Sequence, residues 1–447
     1  MKVLKFGGTS VGSADRMQHV ARLITKTDEP KVIVLSAVSG TTNKLVMIGE
    51  LLIGQKREEA NIAIEKLFVE YEVLVKELLH TAEMREIADE IVNNSFILMR
   101  NYLRYPFGKS KNNELLAQGE LLSTGLFNLY LAEQGINAQL TSALDIVHLD
   151  EFGEPSVEDI AIKMNSVLSN NPGQKLFITQ GYICLNNEGD IDNLKRGGSD
   201  YTASLIGAAL DASEIQIWTD IDGMHNNDPR VVDRTKAIQH LSFDEAAELA
   251  YFGAKILHPA TILPAQERGV PVRLKNTMDP EAHGTLIDNN SESTSVKAVA
   301  AKDGITAIKI KSSRMLLAHG FLLKVFQIFD KYRTSIDLIT TSEIAVSLTI
   351  DDTLHLNEIV QELEQLGHVE VDSEQTIICL VGNRIVENKR MVNEMFAAME
   401  NLPIRMISLG GSKNNISMLI SASYKQQAMQ QINEVVFGLE VVEVEKD

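Results

Sequence analysis

Short apolar runs alternate with stretches of helical periodicity over the first 290 residues. The first run, 3–6, is followed by a segment whose apolar residues recur at helical spacing on one face: Met17, Val20, Ala21 and Ile24. Further strands are predicted at 31–35, 176–179, 215–219 and 270–274, with a loop at 39–43 and a long helical stretch to about residue 102. This alternation indicates βαβ units, and therefore an α/β domain with a mainly parallel sheet between helices.

The last third of the chain repeats its own pattern. An amphipathic helical segment around Val325 is matched around Met395, and the apolar strand pattern at 346–350 is matched at 416–420. One helix followed by two strands, repeated after about 70 residues, predicts two small α+β modules of the ferredoxin-like kind. The polar run 288–295 reads as a linker. We therefore predict domains at 1–290, 299–385 and 386–447, with the linker at 291–298.

The charge of the chain limits its partners. A formal net charge of −19 over 447 residues argues against nucleic acid or an anionic membrane as the main partner. No apolar run approaches the roughly 18 residues of a membrane span. The two cysteines, Cys184 and Cys379, form no CxxC or Cys/His cluster, so neither a disulfide framework nor a zinc site is predicted. A cytoplasmic protein is expected, and an anionic ligand would be held by a few local cations.

The first strand runs directly into a pair of glycines. The stretch KFGGTS places Lys5 before Gly7 and Gly8, whereas a P-loop places its lysine after the glycines. Taken alone, the pair is more often a tight turn than a site.

Three further stretches make a binding site the better interpretation of this turn. KRGGSD at 195–200 leads into a helix, and glycines at a helix N-terminus allow an anion to approach free N–H groups. The loop at 218–230 and the segment at 252–259 add further polar residues, although the first could be an ordinary loop and His258 is more easily read as a helix cap. Cations therefore follow several strands, where α/β sheets bind ligands: Lys5, Arg196, Arg230 and Lys255. Together these features favour a polyphosphate site unlike the P-loop.

In order along the chain, these stretches resemble the signature motifs of the aspartate kinase family. They are KFGGTS (5–10), SGTTN (39–43), LAQGE (116–120), RGGSDYT (196–202), WTD (218–220) and FGAKILHPA (252–260). The repeated C-terminal modules resemble the tandem ACT regulatory domains of that family. The resemblance covers nearly the whole chain. It implies the amino acid kinase fold followed by two ACT domains, in the single-function, lysine-inhibited form.

The resemblance also implies the reaction and its residues. ATP would phosphorylate the side-chain carboxylate of aspartate, with Mg²⁺ as cofactor and with Lys5 and Asp200 as catalytic residues. Nucleotide contacts would come from Lys5, Gly7, Gly8, Thr9, Ser10, Thr219, Asp220, His225, Arg230 and Lys255. Aspartate would be held by Thr42, Glu120, Tyr182, Arg196 and Ser199, with Glu120 on its ammonium and Arg196 on a carboxylate. No residue is assigned as a metal ligand.

Feedback by lysine is implied as well. Its site would lie between ACT units of different chains, so a homodimer or larger homo-oligomer is expected. The residues would be Met315, Ala318, Phe321, Leu322, Ser335, Asp337, Thr341, Ser342 and Glu343. The alternative interpretation is that these side chains simply pack a ferredoxin-like core and its turns.

The sequence departs from the family pattern in a few places, and two other functions compete. Residues 192–195 read DNLK before the RGGSD run, and His225, Tyr182 and Ala318 replace a common tyrosine, phenylalanine and serine. The rival functions are a sister kinase acting on glutamate, acetylglutamate or UMP, and a non-catalytic ACT sensor of amino acids. The sensor predicts loss of Lys5, Asp200 or the glycine loops, and all of these are present.

Overall fold

The computed structural model describes residues 1–195, 197–253, 257–290, 296–312, 315 and 319–438. The chain divides into two compact units. The first comprises residues 1–224 and 257–289, and the second is built from the described residues of 225–256 and 290–447. Within the described residues, no helix is both long and apolar enough to cross a membrane.

The first unit is built on a mainly parallel sheet. Its strands are β1 (Lys2–Phe6), β2 (Lys31–Leu35), β3 (Gln139–Leu140), β4 (Leu176–Gln180), β7 (Glu214–Thr219), β9 (Val272–Asn276) and β10 (Thr285–Asp288), with a separate hairpin of β5 (Ile183–Leu185) and β6 (Ile191–Asn193). Within this unit the sheet order is β3-β4-β2-β1-β7-β9-β10, and only β10 pairs antiparallel. Every residue of β2 and β4 is buried, as expected for central strands covered by helices.

Helices flank this sheet. They are α1 (Ala14–Thr25), α2 (Thr41–Ile53), α3 (Arg57–Leu78), α4 (Ala82–Asn101), α5 (Lys109–Glu133), α6 (Ala143–Ile146), α7 (Val157–Asn170), α8 (Gly198–Ala209) and α10 (Leu263–Arg268). The Ser13 side chain caps α1 by accepting from the Arg16 N–H, and the four predicted apolar residues of α1 are all buried. The main core lies where α1 to α5 pack against the first strands.

Several predicted boundaries were wrong. The loop predicted at 39–43 ends earlier, because α2 begins at Thr41 immediately after Gly40, whose φ of 80° suits glycine. The strand predicted at 270–274 is β9, two residues later, since Val270 still hydrogen-bonds as part of the turn after α10. Asp288 is the last residue of β10 and does not belong to the polar linker. Of the linker predicted at 291–298, residues 291–295 lie outside the described residues, and residues 296–298 are not linker because they begin a strand that runs over 296–311.

The second unit contains one antiparallel sheet of six strands. Its strands are β11 (Val296–Lys311), β12 (Ile339–Thr341), β13 (Ala345–Ile350), β14 (His368–Gly382), β15 (Met406–Leu409) and β16 (Asn415–Ser421), in the order β12-β13-β11-β14-β16-β15. Its helices are α9 (Phe243–Tyr251), α11 (Phe321–Lys331), α12 (Leu356–Leu363), α13 (Lys389–Ala398) and α14 (Lys425–Phe437), and a short strand, β8 (His240–Ser242), precedes α9. The predicted repeat is confirmed, because α11-β12-β13-α12 and α13-β15-β16-α14 follow the same order.

The two repeats share their central strands. β11 and β14 pair over nearly their whole length, from Val296 beside Gly382 to Lys311 beside His368. One hydrophobic core includes Val325 and Leu348 of the first repeat, and another includes Met395 and Met418 of the second. Since both long strands serve both repeats, a single boundary at 385 and 386 stays a prediction.

Candidate active site

An ion pair stands where the first strand leaves the sheet. The Lys5 ammonium of β1 lies 2.8 Å from the Asp200 carboxylate, in the first turn of α8. The two side chains are only 12% and 18% exposed, so water screens their attraction weakly. A carboxylate in this position holds the long lysine side chain in one place. The ammonium still has donors left for an anion.

The glycine pair keeps the space around this ammonium open. A Cβ built on Gly7 would lie 3.4 Å from the Lys5 Nζ, and a Cβ on Gly8 would lie 3.0 Å from the Ala37 carbonyl oxygen. A side chain at position 7 would therefore lie in van der Waals contact with the ammonium, whereas one at position 8 would crowd the Ala37 carbonyl. Close approach of the backbone explains the glycine at position 8.

The hydrogen bonds of this turn differ from those expected of a phosphate cradle. The Gly7 N–H donates to the Trp218 carbonyl at 3.3 Å, and the Ser10 N–H donates to the Gly7 carbonyl at 2.9 Å. The Ser10 hydroxyl is buried and lies 2.7 Å from the Thr277 hydroxyl. These groups close the turn and tie it to neighbouring segments, so they hold the cradle in shape.

A cavity of about 400 Å³ lies beside the turn. It is lined by six residues that the sequence singled out, Gly8, Thr9, Thr42, Glu120, Tyr182 and Ser199, and by Ser36, Ala37, Val38, Ser39, Gly40, Asn43 and Gly198. Four of the five residues predicted to hold aspartate are thus brought together. The fifth, Arg196, lies outside the described residues.

Glu120 is a buried carboxylate in the wall of this cavity. One of its oxygens, Oε1, accepts a hydrogen bond from the Ala37 N–H at 3.3 Å, whereas Oε2 is buried with no partner among the described residues. Burial raises the pKa of Glu120 to about 7. A buried carboxylate with an unfilled oxygen is suited to receive a cation or an ammonium group.

Two helix N-termini face the same cavity. α2 begins after Gly40 and α8 begins after Gly197, and neither N-cap residue has a side chain to satisfy the first N–H groups. Gly40 lines the cavity, as do the first two residues of α8. The first turns of both helices favour negative charge, so a ligand carrying carboxylates suits this wall.

Tyr182 has a strained backbone at the cavity. Its φ is 69°, a region that bulky residues rarely adopt, and its N–H donates to the Thr202 hydroxyl at 2.9 Å. Its ring packs against Gly198, where a Cβ would lie 3.4 Å from the ring. Ser199 accepts a hydrogen bond from Ser36 at 2.9 Å. Strain of this kind concentrates at functional sites, which supports the choice of Tyr182.

The remaining residues predicted to bind nucleotide fall in both units. Thr219 ends β7 and donates to the Asp220 carboxylate at 3.1 Å in the first unit. In the second unit, His225 Nδ1 lies 2.7 Å from the Thr235 hydroxyl. The Arg230 guanidinium forms an ion pair with the Asp228 carboxylate at 2.8 Å. This arginine lowers the pKa of Asp228. Lys255 lies outside the described residues.

Two other expectations concern single side chains. The departure at Asp192 does not line the cavity, and its carboxylate accepts from the Asn113 side chain of α5 at 2.8 Å. His258 is a cap, as its simplest interpretation predicted: its Nδ1 accepts from the Ala260 N–H.

The residues of the expected effector site lie around the start of the first repeat. Met315 and Phe321 pack against the core of this repeat. Leu322, Ser335, Thr341, Ser342 and Glu343 are exposed, and Ala318 lies outside the described residues. The Asp337 side chain is 2% exposed and pairs with Lys302 at 2.6 Å. The core interpretation therefore holds for Met315 and Phe321.

Sequence reasoning missed the segment 36–38. Ser36 hydrogen-bonds Ser199, and the Ala37 N–H reaches Glu120. The signal was available, because these residues directly follow the carboxyl end of a fully buried strand.

Comparison with known proteins assigns families to both parts of the chain. The Amino acid kinase family matches residues 1–276, and an ACT domain matches residues 378–436. The lysine-sensitive aspartokinase 3 of Escherichia coli is 37% identical over 97% of this chain and 99% of its own length.

Solved structures extend this similarity to three dimensions. The E. coli aspartokinase III in complex with aspartate and ADP, in its R-state, superposes with a TM-score of 0.83 at 36% identity. It covers 98% of this chain and 100% of the solved chain. The T-state of the same protein, in complex with lysine and aspartate, gives a TM-score of 0.81 at 36% identity, covering 98% and 99%.

Proposed function

We propose a mechanism from the premise that this chain belongs to the amino acid kinase family and, within it, to the aspartokinases. The protein is an aspartate kinase with an ACT regulatory region. It transfers the γ-phosphoryl group of ATP to the side-chain carboxylate of aspartate. The observation that carries the mechanism is the cavity that joins the Lys5 turn to the buried carboxylate of Glu120.

The chemistry needs no general base. The side-chain carboxylate of free aspartate has a pKa near ~3.9 and is already ionised at neutral pH. One of its oxygens attacks the γ-phosphorus, the bond to the β,γ-bridging oxygen breaks, and ADP leaves with that electron pair. The enzyme must therefore hold two anions together and stabilise the transferring group. We assign this stabilisation to the Lys5 ammonium, with Asp200 as the group that positions it.

We propose a partner for each charge of aspartate. The free oxygen of Glu120 would take the ammonium, and the helix N-termini at Gly40 and Gly197 would favour the carboxylates. Arg196 would hold the α-carboxylate through its planar fork. Thr42, Tyr182 and Ser199 complete the wall.

Mg²⁺ would enter with the nucleotide. Among the described residues, no group of three or more His, Cys, Asp or Glu side chains is arranged to hold a metal ion. Mg²⁺ in kinase sites is typically held by substrate phosphates and one or two carboxylates, so the residues present fit this mode. When bound, the ion would neutralise charge on the phosphates. Thr219, Asp220, His225, Arg230 and Lys255 are proposed to hold the nucleotide.

An acceptor survey tests this function. ADP release is measured with aspartate, glutamate, acetylglutamate and UMP, and the acyl phosphate is trapped with hydroxylamine. We expect release and a hydroxamate with aspartate alone. Release with one of the other acceptors in place of aspartate would assign the sister kinase, and no release with any of them would favour the sensor.

Replacing Arg196 with lysine should raise the aspartate KM far more than the ATP KM. The substitution keeps the charge but loses the bidentate fork, which is not a conservative change at a carboxylate. Steady-state kinetics with each substrate varied in turn measure the two constants. An effect confined to ATP would assign Arg196 to the nucleotide instead.

We also propose feedback inhibition by lysine through the first repeat. Support comes from the E. coli relative, which is lysine-sensitive and was solved with lysine bound. Asp337 offers a buried carboxylate for an ammonium group, and Glu343 lies exposed nearby in sequence. We further propose that two or more copies assemble through their ACT regions. The proposed location of the protein is the cytoplasm.

Replacing Asp337 with alanine should make the enzyme less sensitive to lysine without changing its activity in the absence of lysine. Removing one partner of a charged ligand group typically costs about 1.5–3 kcal/mol, or at least tenfold in the inhibitory concentration. Asp352→Ala, at an exposed position of the same repeat, is the control. If Asp337→Ala and its control remain as sensitive as the parent, the effector site lies elsewhere.

A further inference from the structure

Asp337 lies in a small charged cluster within the second unit. The Lys302 ammonium is 2.6 Å from Asp337 and 2.9 Å from Asp351, and it stands 4.7 Å from the centre of the Tyr251 ring. The Tyr251 hydroxyl donates to Asp337 Oδ1 at 3.0 Å. One carboxylate oxygen therefore serves both an ammonium and a phenol.

This cluster is one positive charge short. Two carboxylates share a single ammonium, which leaves a net charge of −1. The Asp337 side chain is 2% exposed, and its second oxygen, Oδ2, is buried with no partner among the described residues. A buried, unfilled carboxylate oxygen is costly, and an added ammonium group would satisfy it. Lys302 could then remain on Asp351, whose side chain is 43% exposed.

Tyr251 connects this cluster to a helix that is hydrogen-bonded to both repeats. It is the last residue of α9, and Glu248 of the same helix accepts a hydrogen bond from Asn415 of β16. α9 is thus hydrogen-bonded to the first repeat through Asp337 and to the second through Asn415. In the sequence, α9 leads directly into the 252–260 motif.

We infer that Tyr251 is the positioning residue through which the binding of an ammonium group to Asp337 is transmitted to α9. An ammonium at Oδ2 draws the carboxylate toward itself. The Tyr251 hydroxyl is bonded to Oδ1 and moves with the carboxylate. The end of α9, which Tyr251 forms, is thereby displaced. This inference rests on the proposed feedback by lysine and adds the route by which binding becomes inhibition.

The test separates lysine binding from inhibition by using Tyr251→Phe in the full chain. Phenylalanine keeps the ring over Lys302 and removes only the hydroxyl. Tyr332→Phe is the matched control, because Tyr332 also donates to a carboxylate in the first repeat, Glu362 at 2.6 Å, away from Asp337. Lysine binding is measured by calorimetry, and residual activity is measured at saturating lysine.

We expect Tyr251→Phe to bind lysine within about threefold of the parent and to retain parental activity without lysine. Since coupling between sites is typically about 5–150-fold, its residual activity at saturating lysine should rise by about fivefold or more, whereas Tyr332→Phe should match the parent. Equal inhibition of both variants and the parent would overturn the inference. Loss of lysine binding by Tyr251→Phe would also overturn it, by placing Tyr251 in the site itself. A parent that lysine does not inhibit would instead refute the proposed feedback.

Discussion

Lys5→Ala lowers turnover by about 10²–10³-fold while the protein stays folded, because one charge-stabilising donor in a water-poor site is typically worth that much. The Lys5 side chain is 12% exposed, and Gly7 places no side chain against its ammonium. Its loss removes positive charge at the point where the transferring phosphoryl group would develop negative charge. Turnover is measured by coupled ADP release, and folding by thermal unfolding.

Lys2→Ala is the control for this substitution. Lys2 lies on the same strand and pairs with Glu29 at 3.0 Å, away from the cavity. Its replacement should leave turnover nearly unchanged. Asp200→Asn should resemble Lys5→Ala if Asp200 positions the ammonium. Near-normal turnover of folded Lys5→Ala would remove Lys5 from the mechanism.

Glu120→Gln should raise the aspartate KM by about 10–100-fold and leave the ATP KM nearly unchanged. A hydrogen bond to a charged group is worth about 1.5–3 kcal/mol, and glutamine keeps the shape but loses the charge. Glu114→Gln is the control, since Glu114 lies on the same helix and accepts from Tyr102 at 2.7 Å, outside the cavity lining. A larger effect on ATP than on aspartate would contradict the assignment.

Glu120 also predicts a pH dependence. Burial raises its pKa to about 7, so its ionised fraction falls as the pH drops from 8 to 6. The kcat/KM for aspartate should fall over this range, approaching tenfold per pH unit below the pKa. In Glu120→Gln this fall in kcat/KM between pH 8 and 6 should be absent. A parent profile that stays flat between pH 6 and 8 would contradict the role of Glu120 as an ionised partner.

The same shift affects stability in the opposite direction. Because the folded pKa of Glu120 is raised above the ordinary value of 4.5, the folded protein holds this proton more tightly than the unfolded chain. The contribution of Glu120 to stability is therefore present below about pH 4.5 and is lost as the pH rises toward 7. Glu120→Gln should gain most in melting temperature, relative to the parent, above pH 7. The buried negative charge of Glu120, which would bind the ammonium of the substrate, therefore destabilises the protein when no substrate is bound.

The sequence predicted the local features well. The burial of β2 and β4, the apolar face of α1 and the repeated order of helix and strands in the second unit all follow from periodicity and from side chains close in the chain. The motifs also identified Lys5, Asp200 and Glu120 individually. Such signals are read within a few residues, where backbone geometry alone sets which side chains share a face.

The tertiary structure decided which of these groups meet. Glu120 reaches Ala37 across 83 positions, and Tyr251 reaches Asp337 across 86. Strand order and helix packing set these distances, and no local pattern records them. The presence of a strand can be read from its own residues, but the partner of a buried carboxylate depends on everything packed around it. The sequence by itself therefore determined the parts of the site, whereas packing over long separations determined the cavity, the raised pKa of Glu120 and the cluster at Asp337.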